Sequence, residues 1–310
     1  MRLAFVVDPL DRLKAYKDSS IAMMRSARDR GHEVHALEAR DIMVLDNAVQ
    51  ARVRALEVGD DDHDWFKVTG EARARLAEFD YVLMRKDPPF DQEYYYATLL
   101  LERAEAEGAQ VVNSPRALRD WNEKLAILRF PQLAPPTLVA SDMGAVHQFV
   151  DAHADVILKK LDGMGGTMIF RVARADPNRN VIVETLTDFG GRTIMAQRYV
   201  PEIAQGDKRV LVIDGEPFPH CLARIPKSGE TRGNLAAGGR GVAQPISQRD
   251  REIGEKVGVE LVKAGIVFAG LDIIGDWLTE VNVTSPTCIV EIDEQTGENA
   301  AEDLMDALGA

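Results

Sequence analysis

The part of the sequence that most constrains the fold is a pair of apolar runs at residues 270–286, which polar residues interrupt. Asp272 lies in the first run, a Gly-Asp turn signal follows at 275–276, and Glu280 and Asn282 lie in the second run. Short apolar runs on either side of such a turn predict a β-hairpin. Residues two positions apart on a strand share a face, so Glu280 and Asn282 are expected to point the same way.

Turn length decides whether Asp272 joins this polar face. A two-residue turn would pair Asp272 with Thr279 on the apolar face, whereas a three-residue turn at 275–277 would pair it with Glu280. We predict the longer turn, because a buried and unpaired carboxylate disfavours folding. Two carboxylates and the oxygen of Asn282 would then share one surface, and such hard ligands suit Mg²⁺ bound to nucleotide phosphates. The alternative is a half-exposed strand with a solvated polar face.

Composition limits the class of protein. The 310 residues suffice for two or three domains, and a formal net charge of −13 argues against nucleic-acid or anionic-membrane partners. The first apolar run is too short for a signal peptide, and no run reaches transmembrane length. The two cysteines, Cys221 and Cys288, form no Cys-x-x-Cys pair and fit a reducing compartment. We therefore expect a cytoplasmic protein without nucleic-acid or membrane partners.

The N-terminal third predicts a parallel α/β sheet, because residues 3–37 show a strand-helix-strand pattern. No Gly-x-Gly-x-x-Gly follows the first strand, which disfavours a dinucleotide site. The predicted strand at 81–84 runs directly into Arg85, Lys86 and Asp87. Open α/β sheets bind ligands at the carboxyl ends of their strands, so these residues are candidates for substrate binding. The alternative is a solvated loop stiffened by two prolines.

The middle of the chain predicts a second α/β unit with a glycine-rich loop between two strands. This loop, which follows the strand bearing Lys159, contains Gly163, Met164, Gly165 and Gly166. Glycine offers open N–H groups and positive φ, so the loop is predicted to fold over phosphates as a flap. An ordinary tight hairpin is the alternative. A further strand at 194–197 leads into a predicted hinge whose backbone amides can read an adenine edge.

Residues 226–241 are the most unusual segment, with five glycines among sixteen residues and the basic residues Lys227, Arg232 and Arg240. A segment of this length without apolar periodicity is either a disordered connection or a catalytic lid, and the spacing of glycine and arginine favours a lid. Arg209 and Arg224 lie on predicted strands nearby and are candidates for binding a carboxylate. Ordinary surface arginines are the alternative for both.

Taken in order, these features resemble the ATP-grasp superfamily. The runs MRKDPPFD (84–91), LDGMGG (161–166), LARIP (222–226) and ETRGNLAAGGRG (230–241), together with the hairpin, are similar to bacterial glutathione synthetases over nearly the whole chain. The resemblance implies an α/β fold with α+β subdomains. An N-terminal parallel-sheet domain (1–122) would precede an ATP-grasp fold with a central subdomain (123–200) and a C-terminal subdomain (201–310), the latter carrying the lid and the hairpin.

The resemblance also implies an activity, which is the ATP-dependent joining of γ-glutamylcysteine to glycine through an acyl phosphate. It implies Mg²⁺, for which Mn²⁺ can substitute, and a homotetramer. Its ATP-binding positions fall on Lys124, Lys159, Gly163, Met164, Gly165, Gly166, Gln197, Arg198, Tyr199, Val200 and, at the ribose, Asp207. Its metal ligands fall on Asp272, Glu280 and Asn282. Its substrate-binding positions fall on Arg85, Lys86, Asp87, Arg209, Arg224, Arg232, Gly238, Gly239, Ser285, Pro286 and Thr287.

Among these residues, Arg224 is the expected stabiliser of the oxyanion, and Arg209 and Arg232 are the other expected catalytic residues. Arg198 departs from the small polar residue expected at the hinge, which matters little because hinge contacts are largely made by the backbone. Two competing functions remain. Another ATP-grasp ligase of amino acids or dipeptides is disfavoured by the lid sequence and the loop at 85–87. A non-catalytic nucleotide-binding module is disfavoured because the metal ligands, Arg224 and both lysines are retained.

Overall fold

The computed structural model of the protein describes residues 1–230, 232–233, 235 and 238–310. Three sheets organise this part of the chain, with seven, four and five strands. Within it, no helix has both the length and the apolar character needed to span a membrane.

The N-terminal sheet is parallel at its centre and antiparallel at one side. Its strands are β1 (Arg2–Val6), β2 (Glu33–Leu37), β3 (Ile42–Leu45), β4 (Ala48–Val58), β5 (Phe66–Arg75), β6 (Tyr81–Met84) and β7 (Val111–Val112), and its helices are α1 (Ser19–Asp29), α2 (Gln92–Ala106) and α3 (Pro115–Asp120). Strands β2, β1, β6 and β7 pair in parallel, which confirms the predicted β-α-β start. Strands β3 to β5 add antiparallel pairs at the β2 side.

The central sheet has the order β10-β9-β11-β8 and is wholly antiparallel. Its elements are β8 (Thr137–Ala140), α4 (Met143–His153), β9 (Asp155–Lys160), β10 (Ile169–Ala173), α5 (Arg179–Thr187) and β11 (Ile194–Arg198). One face of the sheet packs on α4 and α5 through a separate apolar cluster that includes Val146, Leu158 and Leu186. The glycine-rich loop joins β9 to β10, as the sequence predicted.

The C-terminal sheet has the order β14-β13-β12-β15-β16. Its elements are β12 (Asp207–Ile213), β13 (Glu216–Ile225), β14 (Arg240–Pro245), α6 (Gln248–Ala264), β15 (Phe268–Ile274), β16 (Trp277–Asn282), α7 (Ile289–Thr296) and α8 (Ala300–Leu308). Arg240 and Gly241 belong to β14 and pair with β13, so the predicted lid ends before them. The rest of the predicted lid includes residues 231, 234, 236 and 237, which lie outside the described residues.

The hairpin of β15 and β16 places Asp272 opposite Glu280, as predicted, but the turn that produces this pairing differs from the predicted one. The turn has two residues rather than three, because Ile274 pairs with Trp277. The register then shifts, and Thr279 is left as an extra residue between the Ile273–Leu278 and Asp272–Glu280 pairs. With the two-residue turn alone, Asp272 and Glu280 would lie on opposite faces of the hairpin. The extra residue at the bulge returns them to the same face.

Asn113, just after β7, joins the N-terminal sheet to the C-terminal sheet. Its Nδ2 donates to the carbonyl oxygens of Phe268 and Val283 at 2.7 and 2.8 Å, and its Oδ1 accepts from the backbone N–H of Phe268 at 3.0 Å. Apolar clusters also cross between these two sheets, whereas the central sheet has a cluster of its own. The three-part division at residues 122 and 200 stays a prediction.

Candidate active site

A cavity of about 510 Å³ is lined by residues from the N-terminal, central and C-terminal regions of the chain. Every residue predicted to bind ATP lines it, from Lys124 and Lys159 through the flap and the hinge to Asp207. The predicted metal ligands line it as well. Residues more than half of the chain apart, such as Lys124 and Asn282, thus line the same cavity, as the sequence predicted.

Two buried lysines lie against Glu280 at one end of the cavity. Lys159 Nζ is 3.1 Å from Glu280 Oε1, and Lys124 Nζ is 3.7 Å from the same oxygen. Lys124 Nζ also donates to the carbonyl oxygen of Gly163 in the flap at 2.5 Å. Burial opposes ionisation of Glu280, but the two lysines outweigh it and hold the pKa of Glu280 below its usual value. This end of the cavity thus keeps two ammonium groups beside the flap.

A second charged cluster pairs two arginines with two aspartates. Arg209 Nε donates to Asp272 Oδ1 at 2.7 Å, and Arg224 Nη2 lies 2.9 Å from Asp272 Oδ2 and 2.6 Å from Asp207 Oδ2. Burial opposes ionisation of Asp272, yet the two arginines hold its pKa well below the usual range. These contacts fix both guanidinium groups in the cavity wall.

Asp207 differs from Asp272 because Arg224 alone pairs with it. Burial raises the pKa of Asp207 to about 7, and the attraction of Arg224 only partly offsets this. Its Oδ1 is buried and makes no hydrogen bond with the described part of the chain. A buried oxygen without a partner is costly, so this atom is suited to accept a hydrogen bond from a ligand.

The donor set on the hairpin fits a divalent cation that shares its coordination with phosphate. Asp272 and Glu280 face each other across the hairpin, and Asn282 Nδ2 donates to the Gly270 carbonyl oxygen at 3.1 Å, which leaves Asn282 Oδ1 available as a ligand. Within the described residues, no cluster of three or more His, Cys, Asp or Glu side chains could hold a metal alone. Few and hard oxygen donors are typical of Mg²⁺ sites that are completed by phosphate and water.

Several residues predicted to bind substrate occupy other positions. Arg85 does not line the cavity; it is 6% exposed, and it donates from Nη2 to the Pro286 carbonyl oxygen at 2.8 Å and from Nε to Ser20 Oγ at 3.1 Å. It therefore supports the turn at 285–287 from behind. Lys86 also lies off the cavity wall, with Nζ 3.8 Å from Asp8.

The remaining predicted substrate positions divide between the cavity wall and its surroundings. Gly238 and Gly239 are not part of the described cavity wall. Residues on that wall are Asp87, Arg209, Arg224, Arg232, Ser285, Pro286 and Thr287.

The described part of the predicted lid touches the flap. Arg232 Nη1 donates to the Gly166 carbonyl oxygen at 3.2 Å, and Arg232 Nη2 pairs with Glu230 at 2.6 Å. Leu235, from the same segment, lines the cavity. Lid and flap are thus in contact.

Sequence reasoning missed three groups of cavity residues. The loop after β1 contributes Arg12, Lys14 and Lys17, and the only signal was the cap sequence before α1. Glu123 also lines the cavity, and its Oε1 accepts from the N–H groups of Val283 and Thr284 at 3.2 Å. Its position beside Lys124 in the chain was the available signal. Glu291, on α7, was missed because that helix was not predicted.

This fold and this cavity define an ATP-grasp ligase, in which a glycine flap, Lys159 on the central sheet and Lys124 just before that sheet face carboxylates on the C-terminal sheet. D-cycloserine synthetase DcsG has a similar fold, with a TM-score of 0.68 at 17% identity over 99% of this chain and 98% of that chain. An ATP-grasp ligase from Chryseobacterium gregarium associated with a RiPP aligns with a TM-score of 0.69 at 13% identity, covering 100% and 97% of the two chains. These likenesses concern the fold alone.

Sequence comparison defines the family. The family model for the N-terminal domain of prokaryotic glutathione synthetase matches residues 1–119, and the model for its ATP-grasp domain matches residues 123–297. Glutathione synthetase of Bordetella parapertussis is 57% identical over 99% of this chain and 98% of its own length. The Pseudomonas aeruginosa enzyme is 54% identical over 100% and 98%. The chain belongs to the prokaryotic glutathione synthetase family, and it is an ATP-dependent ligase of glutathione synthesis.

Proposed function

We propose that the cavity joins γ-glutamylcysteine to glycine through an acyl phosphate, with the residues of the cavity in defined roles. The observation that carries this proposal is the convergence, in one cavity, of two buried lysines, a glycine flap, a facing pair of carboxylates and two fixed arginines. Phosphoryl transfer and acyl transfer both need developing negative charge to be stabilised, and this cavity supplies the cations for both.

The phosphates of ATP bind between the flap and the two lysines. Lys124 and Lys159 exchange part of their interaction with Glu280 for the phosphate oxygens, and flap N–H groups cover the phosphates. Asp272, Glu280 and Asn282 would hold Mg²⁺. A divalent cation held there neutralises the charge on the phosphate oxygens when it is bound. Residues 197–200 receive the adenine, and the free Oδ1 of Asp207 accepts a hydrogen bond from the ribose.

The chemistry then requires two steps. An oxygen of the cysteinyl carboxylate attacks the γ-phosphorus, the bond to the β-phosphate oxygen breaks, and ADP leaves with an acyl phosphate formed. The glycine amine attacks the acyl carbon, the bond from that carbon to the phosphate oxygen breaks, and the leaving phosphate takes the proton of the amine, which leaves the amide. Arg224 stabilises the tetrahedral oxyanion, because its guanidinium is fixed by Asp207 and Asp272 before the reaction begins. Arg209 is held in the same way by Asp272.

Water must be excluded, because an acyl phosphate hydrolyses readily. The contact between Arg232 and Gly166 supports a closed arrangement of lid and flap over the reacting groups. We propose that this closure couples ATP cleavage to amide formation.

Phosphate release coupled to product analysis tests this function. The purified chain is given ATP and Mg²⁺ with γ-glutamylcysteine plus glycine, or with alanine alone as the control. We expect one phosphate per tripeptide with the first pair and only background with alanine. Turnover with alanine dipeptide as product would favour another ATP-grasp ligase, and ATP binding without turnover would favour a non-catalytic module. Omission of divalent cations, with Mg²⁺ and Mn²⁺ added back separately, tests the metal.

Two further properties are proposed from the family resemblance. We propose a homotetramer in which the N-terminal domain makes much of the contact, and a cytoplasmic location. Light scattering at micromolar concentration and physiological salt tests the first, and a monomer would contradict it. Cell fractionation tests the second.

A further inference from the structure

Glu123 connects the segment that carries Lys124 with the strand that carries Asn282. Strand β16 is the last strand in the order of the C-terminal sheet, so its outer edge faces no further strand of the described chain. Backbone N–H groups at such an edge need acceptors from elsewhere when they are buried. Glu123, which lines the cavity, supplies acceptors to the end of this edge next to Asn282.

The two residues that flank Asn282 in the chain both donate to Glu123. The backbone N–H of Val281 donates to the carbonyl oxygen of Glu123 at 2.9 Å, and that of Val283 donates to Glu123 Oε1 at 3.2 Å. The backbone N–H and Oγ1 of Thr284 donate to the same Oε1 at 3.2 and 2.7 Å. Hydrogen bonds to one residue therefore fix the backbone on both sides of Asn282.

The neighbours of Glu123 in the chain reach the flap. Asn122 Nδ2 donates to the carbonyl oxygen of Leu161 at 3.3 Å, and Asn122 Oδ1 accepts from the backbone N–H of Lys124 at 3.2 Å. Lys124 Nζ in turn donates to the Gly163 carbonyl oxygen at 2.5 Å. The segment of three residues around Glu123 is therefore bonded to the flap on one side and to the β15–β16 hairpin on the other.

A cation shared by the hairpin and the phosphates needs its protein ligand at a fixed distance from the phosphate-binding lysine. Groups behind a metal ligand orient it, and they affect metal affinity without touching the metal. The side chain of Asn282 is oriented by the Gly270 carbonyl oxygen, which accepts from its Nδ2 at 3.1 Å. The backbone of Asn282 is held instead through Glu123, the residue that directly precedes Lys124.

We propose that Glu123 is a positioning residue that holds Asn282 at a fixed place relative to Lys124. One divalent cation can then contact both Asn282 and the phosphates that Lys124 binds. The acceptor oxygen of Glu123 carries this role, and Glu123 itself touches neither metal nor substrate. This inference rests on the metal and phosphate roles proposed above, and it adds the residue that links them.

The effect of Mg²⁺ on nucleotide binding measures this role without turnover. Isothermal titration calorimetry gives the Kd of ADP for the full chain with and without Mg²⁺, and we define the ratio of the two Kd values as the metal coupling. Glu123→Leu removes the acceptor Oε1 at similar size, and we expect the metal coupling to fall by about 10- to 100-fold. The Kd of ADP without Mg²⁺ should change little, because Lys124 keeps its contacts with Gly163 and Glu280.

Two further variants separate the acceptor from the charge. Glu123→Gln keeps an oxygen acceptor and removes the charge, so its metal coupling should stay close to that of the wild type. Thr284→Val removes the donor at 2.7 Å and keeps the shape of the side chain, so the metal coupling should fall by about 2- to 10-fold. KM for γ-glutamylcysteine should change little in Glu123→Leu and Glu123→Gln. Glu255→Leu, at an exposed position of α6 away from the cavity, is the matched control.

Thermal unfolding establishes that each variant is folded before its coupling is compared. An unchanged metal coupling in folded Glu123→Leu would overturn the inference, and so would an equal loss in Glu123→Gln, because the charge rather than the acceptor would then matter. If Glu123→Leu does not fold, an unchanged coupling in Thr284→Val overturns it. Failure of the proposed function looks different, because the wild-type chain itself would then show no metal coupling or would not join γ-glutamylcysteine to glycine.

Discussion

At the scale of single residues, each acid of the hairpin lies between two cations. Glu280 contacts Lys124 and Lys159, and Asp272 contacts Arg209 and Arg224. The cations compensate for the burial of the acids, and the acids hold the cations in position. Removal of one member therefore leaves an unbalanced charge in the cavity wall as well as a missing ligand.

Glu280→Gln tests the role of this acid with little change in size. We expect activity to fall by about 100- to 1000-fold, because a ligand charge is lost where phosphoryl transfer needs it. Phosphate release at saturating substrates is the measurement, and thermal unfolding checks the fold. Glu216→Gln, at an exposed position of the same sheet, is the control. Activity within a few-fold of wild type would show that Glu280 is not a metal ligand.

Arg85→Met distinguishes support of the 285–287 turn from direct substrate binding. We expect the free energy of unfolding to fall by about 2 kcal/mol, because the buried Pro286 carbonyl oxygen loses its charged donor. KM for γ-glutamylcysteine should also rise, since the turn lines the cavity. Chemical denaturation and steady-state kinetics measure the two effects, and Arg85→Lys should recover part of both. An unchanged stability with a raised KM would support direct binding instead.

The residues of the site were more predictable than their contacts. The runs around Gly163, Arg224 and Asp272 are specific enough to place those residues in one cavity from the sequence. A charged residue after a parallel strand is expected at the ligand edge, and the sequence does not show that Arg85 contacts Ser20 and Pro286 behind the cavity wall. Pairings between residues so far apart in the chain depend on how the sheets meet.

At the scale of elements, the β15–β16 hairpin shows where a local rule fails. The rule that links turn length to side-chain face predicted three turn residues, yet the same pairing arises from two turn residues and a bulge at Thr279. Thr279 Oγ1 donates to the Asp272 carbonyl oxygen at 3.0 Å, which gives the bulged residue a hydrogen bond. Periodicity predicted both strands, but nothing in it shows where an extra residue is placed.

The lid segment yields a prediction about proteolysis. We expect trypsin to cleave at Lys227 and Arg232 more slowly once ATP, Mg²⁺ and dipeptide are bound, because ordering glycines costs about 1–2 kcal/mol per residue and bound ligands offset it. Arg240 should resist cleavage in both conditions, since it is paired in β14. Mass spectrometry of a time course identifies the sites. Equal rates at Lys227 and Arg232 with and without ligands would reduce the segment to a passive loop.

The junction of α7 and α8 yields a prediction about pH. Burial raises the pKa of Asp293 to about 7, and the Ala300 N–H, which donates to it, only partly opposes this. The pKa of aspartate in an unfolded chain is about 3.9, so the stability from this group is complete below that pH and is lost as pH rises through about 7. Asp293→Asn should therefore weaken the fall in stability between about pH 4 and about pH 7.

Denaturant unfolding at several pH values measures this effect. Glu294→Gln, its exposed neighbour on α7, is the control and should leave the pH profile as in wild type. An Asp293→Asn profile that matches wild type would contradict the assignment.

At the scale of the whole molecule, the N-terminal and C-terminal sheets behave as one packed body. Apolar clusters cross between them, and Asn113 donates to backbone carbonyls of Phe268 and Val283. The boundary between the two family models, near residue 120, therefore does not coincide with a boundary in the apolar packing.

Tryptophan reporters test this coupling. Trp65 lies in the N-terminal sheet region and Trp277 begins β16, so variants that keep only one of the three tryptophans report on each side. We expect coincident denaturation midpoints for the two reporters, and Asn113→Ala should lower both together. Loss of the Trp65 signal at clearly lower denaturant than the Trp277 signal would show that the N-terminal sheet unfolds alone.

The packing of α8 on α1 has a consequence for synthesis on the ribosome. Met23 and Met24 of α1 are fully buried in the cluster that also contains Leu304 and Met305 of α8, and Arg30 Nη1 bonds Asp306 at 2.7 Å. Helix α1 is translated well before α8, because α1 ends at Asp29 and α8 begins at Ala300. The part of α1 that packs on α8 therefore stays exposed until α8 is translated, and a nascent chain paused before residue 300 would expose an apolar surface of the kind that chaperones bind.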